Sequence, residues 1–174
     1  AEMLVRGPSS YTRLHFYSKF PVLLTDTTGQ QHFCKFRLVP AEDGPFDGLL
    51  TEEQQRKIWI VEADPNDPRP PDYLRSELHS GIKEGKPTQF RMEVMTKLKT
   101  GSENALFFYP SADWKEPWRP MALVNLTEAL TADQLKTISG NPHTLPKGMS
   151  ILDPVNSFDP NWINCCFFIF YYFM

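Results

Sequence analysis

From Asp72 to Leu98 the chain changes its hydrophobic period, and that change predicts a helix followed by a strand. Leu74, Leu78 and Ile82 recur every four residues, which places an apolar stripe on one helix face and leaves Arg75, Glu77, Lys83 and Glu84 to water. Asp72 stands at the N-cap position, Gly85 at the position past the last turn, and Pro87 cannot continue a helix. Beyond it, Phe90, Met92, Val94 and Leu98 alternate with Arg91, Glu93 and Lys97, the two-residue repeat of a strand with one buried and one wet face. A second alternating stretch runs from Tyr17 to Pro40, broken by Asp26-Thr27-Thr28-Gly29, and predicts a hairpin. Phe20, Val22 and Leu24 share a face of its first strand, and Cys34, Phe36 and Leu38 share a face of its second. Pro21 reads as an edge or bulge position.

Two further helix starts carry the capping-box pattern. Thr51 with Gln54 opens one in which Glu52 with Arg56 and Glu53 with Lys57 are spaced to pair, Ile58 and Trp59 supplying the burial. Thr131 with Gln134 opens a shorter one, after an irregular aromatic loop (100–118) and a strand at MALVNL. These elements give an α+β fold with antiparallel strands.

Composition narrows the function classes. The 174 residues suffice for one domain or a piece of a larger one, and a net charge of -3 with mixed signs supplies no basic stripe for nucleic acid. Sixteen prolines cluster in connections such as Pro65 to Pro71, while 13% aromatics keep the chain globular in kind. Cys34, Cys165 and Cys166 match neither metal-ligand spacing nor a secreted disulfide framework. They favour a reducing compartment, and we expect a cytoplasmic protein. No signal peptide is visible.

The segment 163–174, INCCFFIFYYFM, carries no charge and is half aromatic. It is shorter than the roughly 20 apolar residues of a membrane-spanning helix, so no transmembrane segment is expected. Buried terminal strand, interfacial anchor and sequence foreign to the domain are the alternatives, and we favour the last. Because the chain also opens at Ala1 rather than a methionine, we expect it to be incomplete at both ends.

Groups for chemistry are sparse. His15, His32, His79 and His143 form no ligand pair, and we read each as structural. Phosphate loop, nucleophile elbow and H-E-x-x-H are all missing from the sequence. Cys34 reads as a small buried hydrophobe, and Tyr171 and Tyr172 lack a positioned arginine that would make either an iron ligand. The sequence therefore names no catalytic, cofactor-binding or metal-binding residue.

Three strings together carry a family resemblance: Gly29 with Phe33-Cys34-Lys35-Phe36-Arg37, the unit from Asp72 to Pro87 followed by QFRMEVM, and P-x-x-L-V-N-L with the G-M-S-x-L-D-P turn. From Ser9 to about Ile163 the chain resembles the barrel-forming part of haem catalases. GLLTEEQQRKIWI (48–60) and RPPDYLR (69–75) resemble most the catalase-related allene oxide synthases of corals, which occur fused to a lipoxygenase. The resemblance implies part of a catalase-like antiparallel β-barrel with flanking helices, a partial haem domain over 1–163 and an atypical aromatic tail over 164–174. It also implies haem in the complete protein, and a fatty-acid hydroperoxide or hydrogen peroxide as substrate. The family's distal histidine precedes the stretch matched here, and its R-x-x-x-Y iron-ligand motif would follow NSFDPNWI, where the aromatic tail stands instead. Stable haem binding by this chain alone is therefore not expected. Phe20 occupies the place of a histidine that in catalases approaches the haem carboxylates. The alternatives are a true catalase that decomposes hydrogen peroxide, or a non-catalytic interaction protein that keeps part of the fold.

Overall fold

The computed structural model describes residues 8–18, 20–42, 52–53, 68–86, 88–101, 113–137 and 145–152. A 3-10 turn (Tyr11–Arg13) leads into six strands, β1 (Phe16–Tyr17), β2 (Val22–Thr25), β3 (Gln31–Pro40), β4 (Gln89–Leu98), β5 (Arg119–Asn125) and β6 (Met149–Ile151). Two helices, α1 (Tyr73–Lys83) and α2 (Ala132–Thr137), lie between them in sequence. The strands are hydrogen-bonded in the order β5-β4-β3-β2-β6, with β1 also paired to β3. Among the described residues this sheet is open, with β5 and β6 at its two ends.

The expected hairpin forms because Asp26 organises its turn. Its Oδ1 accepts from the Thr28 amide at 2.8 Å, the Thr28 hydroxyl at 2.7 Å and the Gln30 amide at 2.9 Å. Gly29 takes the left-handed φ of 83° that the reversal requires. The strands then pair antiparallel with Val22 opposite Cys34 and Leu24 opposite His32. On its other side β2 pairs antiparallel with β6, Val22 opposite Ile151. Gly148, with φ 87°, feeds this pairing, for the Thr25 amide donates to its carbonyl at 2.7 Å.

Two compact units share the chain: Ala1–Phe16, Leu38–Met92 and Ala122–Leu130 form one, and Tyr17–Arg37, Glu93–Met121 and Thr131–Met174 the other. In the first, Leu14, Val39 and Phe90 are buried, and Phe16 meets Phe90 edge-on at 5.8 Å. The second is centred on Phe33, Met95, Trp114 and Leu152, with Leu23 and Trp118 packed against them.

One-faced burial is where the strand expectation gives way. Phe33, Cys34 and Lys35 are buried in succession, so both faces of β3 are covered. Leu23, off the face singled out for β2, packs on the core opposite Phe33. On β4, Phe90 is buried and Met92 and Val94 are half-buried, but Leu98 is 42% exposed while Glu93 and Met95 are buried. Alternation reports one wet face only where water reaches it, and here side chains lie against both. Pro21 is likewise neither edge nor exposed. It is fully buried and just precedes the paired part of β2, a strand flanked on both sides.

Helix α1 forms as expected, with Leu74, Leu78 and Ile82 half-buried and Arg75, Glu77 and Lys83 exposed. Its end is a Schellman turn: the Lys86 amide donates to the Gly81 carbonyl at 2.9 Å and the Gly85 amide to Ile82 at 3.1 Å, with Gly85 at φ 69°. At its start Asp72 occupies the N-cap, yet its side chain caps no amide. With ψ near 16° the carboxylate is turned from the first amides and accepts from the Ser76 hydroxyl at 3.2 Å. The second capping box is reciprocal, as the Thr131 amide donates to Gln134 Oε1 at 2.7 Å and the Gln134 amide to Thr131 Oγ1 at 3.3 Å. Glu52 and Glu53 are helical and exposed, whereas Thr51, Gln54, Ile58 and Trp59 lie outside the described residues. So do Cys165, Cys166, His143, Tyr171, Tyr172 and the aromatic tail. No helix among the described residues is long and apolar enough to cross a membrane.

Candidate functional site

Charged side chains of neighbouring strands β3 and β4 meet aromatic side chains of the segment before β5 in the second unit. Arg37 donates through Nε at 2.6 Å and Nη2 at 2.5 Å to one oxygen, Oε2 of Glu93, and its guanidinium lies 4.6 Å from the Trp118 ring centre. Tyr17 meets Trp118 edge-on at 6.3 Å. Two residues earlier on β3, the Lys35 ammonium lies 4.6 Å from the Trp114 ring centre. Burial pushes the Lys35 pKa down, opposed in part by the charge of Asp113, whose own pKa is lowered chiefly by its hydrogen bond from Lys115. Cations over aromatic faces and a doubly held carboxylate are how a protein keeps charge inside a sheet. The signal for it, Lys35 and Arg37 two apart on one strand, is legible in the sequence, but their partners 56 to 81 positions away are not.

His15, His32, His79 and Cys34 lie among the described residues. His32 Nε2 lies 3.3 Å from Asp26 Oδ2 at the hairpin, and Asp26, held first by the Thr28 hydroxyl and then by the backbone amides of Gln30 and Thr28, has its pKa pushed down to about 2. His79 is exposed on α1, and His15 is half-buried ahead of β1. Cys34 is a free, wholly buried thiol, and burial pushes its pKa up to about 11, far from that of a nucleophile at neutral pH.

An iron-binding tyrosinate needs a phenol free of its proton. Among the described residues the Arg-x-x-x-Tyr spacing occurs twice, at Arg13 and Tyr17 and, on the approach to α1 in the first unit, at Arg69 and Tyr73. Arg69 Nη1 donates to the Tyr73 oxygen at 3.1 Å and its guanidinium lies 4.4 Å from the ring centre, the arrangement that would favour a phenolate. The Tyr73 hydroxyl, however, donates to the Pro8 carbonyl at 2.6 Å. Removing that proton would set two acceptors against each other, so this pair ties the segment at Pro8 to the helix and does not fit an iron ligand. No group of three or more His, Cys, Asp or Glu among the described residues is arranged to hold a metal ion. The Arg69–Tyr73 pair therefore does not fit the ligand of a haem iron.

No protein-family model matches the chain. In sequence it is 29% identical over 169 residues to the allene oxide synthase-lipoxygenase protein of Plexaura homomalla, covering 93% of this chain and 16% of that protein. It is 28% identical over 158 residues to the uncharacterised protein y4iK of Sinorhizobium fredii, covering 84% of this chain and 65% of the relative. In structure it superposes on a fungal catalase with a TM-score of 0.64 at 18% identity, over 91% of this chain and 30% of the catalase. A bacterial catalase gives 0.61 at 16% identity, over 83% of this chain and 27% of its own. The chain thus spans less than two thirds of each of these relatives. Its described sheet and helices carry a catalase-like fold, and in sequence it resembles the catalase-related part of an allene oxide synthase-lipoxygenase protein.

Proposed function

We propose that the protein containing this chain is a catalase-related haem protein that acts on fatty-acid hydroperoxides, in the manner of an allene oxide synthase or hydroperoxide lyase. The similarity to the Plexaura homomalla protein, extending over 93% of the chain, carries this reading. The fold supports it through the catalases, although they leave the choice of peroxide open. In this reading a catalase-like β-barrel is completed by strands beyond those described, and haem is bound in the complete protein. A lipoxygenase in the same polypeptide would supply the hydroperoxide, as the name of the Plexaura homomalla protein suggests. We further propose that 1–163 belongs to this haem domain, that 164–174 stands apart from it, and that the protein is cytoplasmic.

The test uses the protein as purified from its natural source. Peptide sequencing across Trp162 to Cys166 first establishes which sequence follows the domain. A haem absorption band, with loss of a fatty-acid hydroperoxide's conjugated-diene absorbance and little oxygen release from hydrogen peroxide, supports the proposal. Rapid oxygen release from hydrogen peroxide with the fatty-acid substrate untouched replaces it with a catalase.

A non-catalytic interaction protein is the second reading, favoured by one observation. Leu123, Leu126 and Leu130 are 56%, 36% and 44% exposed along and just beyond β5, an apolar run of the kind that another surface covers. Absence of both haem absorption and peroxide turnover in the native protein would bring it forward.

A further inference from the structure

Within the first unit, the 3-10 turn, the end of β3 and the approach to β4 surround an open cavity of about 320 Å³ whose lining includes Thr12, Arg13, Glu42, Lys86 and Gln89. Its walls are built rather than incidental. The Thr12 amide donates to Ser10 Oγ at 3.1 Å and the Arg13 amide to the Ser10 carbonyl at 3.2 Å, which fixes the turn that carries Arg13. The Ala41 amide donates to the Gln89 carbonyl at 3.3 Å and ties the β3 side to the β4 side.

Two cations and one carboxylate line it, and a second carboxylate, Glu84, stands beside Lys86. Lys86 is held by Glu84 at 2.7 Å, which raises its pKa and keeps it charged. Arg13 makes no ion pair among the described residues. A guanidinium presents parallel N–H donors that match a carboxylate or phosphate, and the Lys86 ammonium, with one of its three donors on Glu84, keeps others for the same ligand. Gln89 and Thr12 are neutral polar groups able to bond the same ligand, and Glu42 favours a remainder that carries hydrogen-bond donors over a second anionic group. The volume lies at the lower end of small-molecule sites.

We propose that this cavity binds a small molecule through a carboxylate or phosphate head, with Arg13 as the anchor and Lys86 as the supporting charge. It is a site separate from any peroxide chemistry and does not rest on the function proposed above.

Calorimetric titration of the full chain with inorganic phosphate and, separately, with acetate tests it, both at matched ionic strength in chloride. The expected result is saturable binding of at least one, weaker at higher salt, which distinguishes a phosphate-selective from a carboxylate-selective site. Arg13→Gln should weaken it about tenfold or more, Lys86→Gln less, and Arg75→Gln on the exposed face of α1 not at all. Circular dichroism of each variant checks its fold, and Arg13→Lys, which keeps the charge but loses the fork, should restore part of the affinity. No saturable binding of either anion, unchanged binding in Arg13→Gln, or equal loss in Arg75→Gln overturns the proposal.

Discussion

Arg37 and Glu93 face each other across β3 and β4 with both arginine donors on one carboxylate oxygen, in a place where the glutamate side chain is only 8% exposed. A carboxylate so buried is tolerated only with its partner. Arg37→Met should therefore destabilise the chain by about 3 kcal/mol, because it removes the guanidinium that holds a buried carboxylate. Arg37→Met with Glu93→Leu should recover most of that loss. Urea unfolding of the parent, the single and the double variant checks both, and a double variant as weak as the single would show that packing around Trp118 dominates.

The Asp26 turn gives a pH dependence of defined sign. Its pKa is about 2 when folded, below the ordinary value of 3.8. The stabilisation is therefore present above pH 3.8 and is lost as the pH falls towards 2. Asp26→Ala should lower the unfolding midpoint at pH 6 and narrow its gap to the parent by pH 2, measured by urea titration at each pH. A gap that stays constant over this range would remove the carboxylate from the account.

Gly148 and Gly85 both have positive φ, yet replacing them should differ in cost. A Cβ on Gly85 meets nothing within 4 Å, whereas one on Gly148 would stand 3.1 Å from the Thr25 carbonyl oxygen. Gly85→Ala should cost about 1–2 kcal/mol for its left-handed backbone alone. Gly148→Ala should cost more and loosen the Thr25 amide bonded to the Gly148 carbonyl. Thermal unfolding ranks the two, and hydrogen exchange at Thr25 locates the difference.

Cys34 should resist alkylation. In a chain carrying Cys165→Ser and Cys166→Ser, iodoacetamide at pH 8 should modify Cys34 only when denaturant is added, because the thiol is enclosed and its pKa is about 11. Labelling in native buffer as fast as in denaturant, read by mass spectrometry, would contradict its enclosure.

What the sequence showed and what it hid divide by distance along the chain. The Asp26–Gly29 turn, the Gly85 helix end and the Thr131–Gln134 box depend on contacts within about five residues, so the local pattern contains them whole. The burial of Glu93 depends on Arg37 and was invisible to alternation, which assigns every charge on a strand to water. Asp72 marks the limit of local signals, since its type predicts a cap but its backbone angle sends the carboxylate to Ser76 instead. The polar cavity was equally hidden, because Arg13, Glu42 and Lys86 come from three separate segments that no local pattern joins. Sequence comparison reached the catalase-like fold through dispersed strings that no single contact explains.

Tyr73 joins the structural and functional questions. Its hydroxyl donates to the Pro8 carbonyl and accepts from Arg69, so Tyr73→Phe removes two hydrogen bonds while keeping the ring beneath the guanidinium. The expected cost is about 1–2 kcal/mol, since a partly buried carbonyl also loses the closer of its two donors, Arg69 Nη1 at 3.5 Å being the other. Proteolysis near Pro8 should accelerate, because that hydroxyl is one of the ties between this segment and α1. If the protein that contains this chain binds haem, the substitution should leave the position of its absorption band unchanged, as a phenol committed to Pro8 is not the iron's ligand. Loss or displacement of that band in a variant that remains folded would instead place Tyr73 at the iron and overturn the structural role assigned to the Arg69–Tyr73 pair.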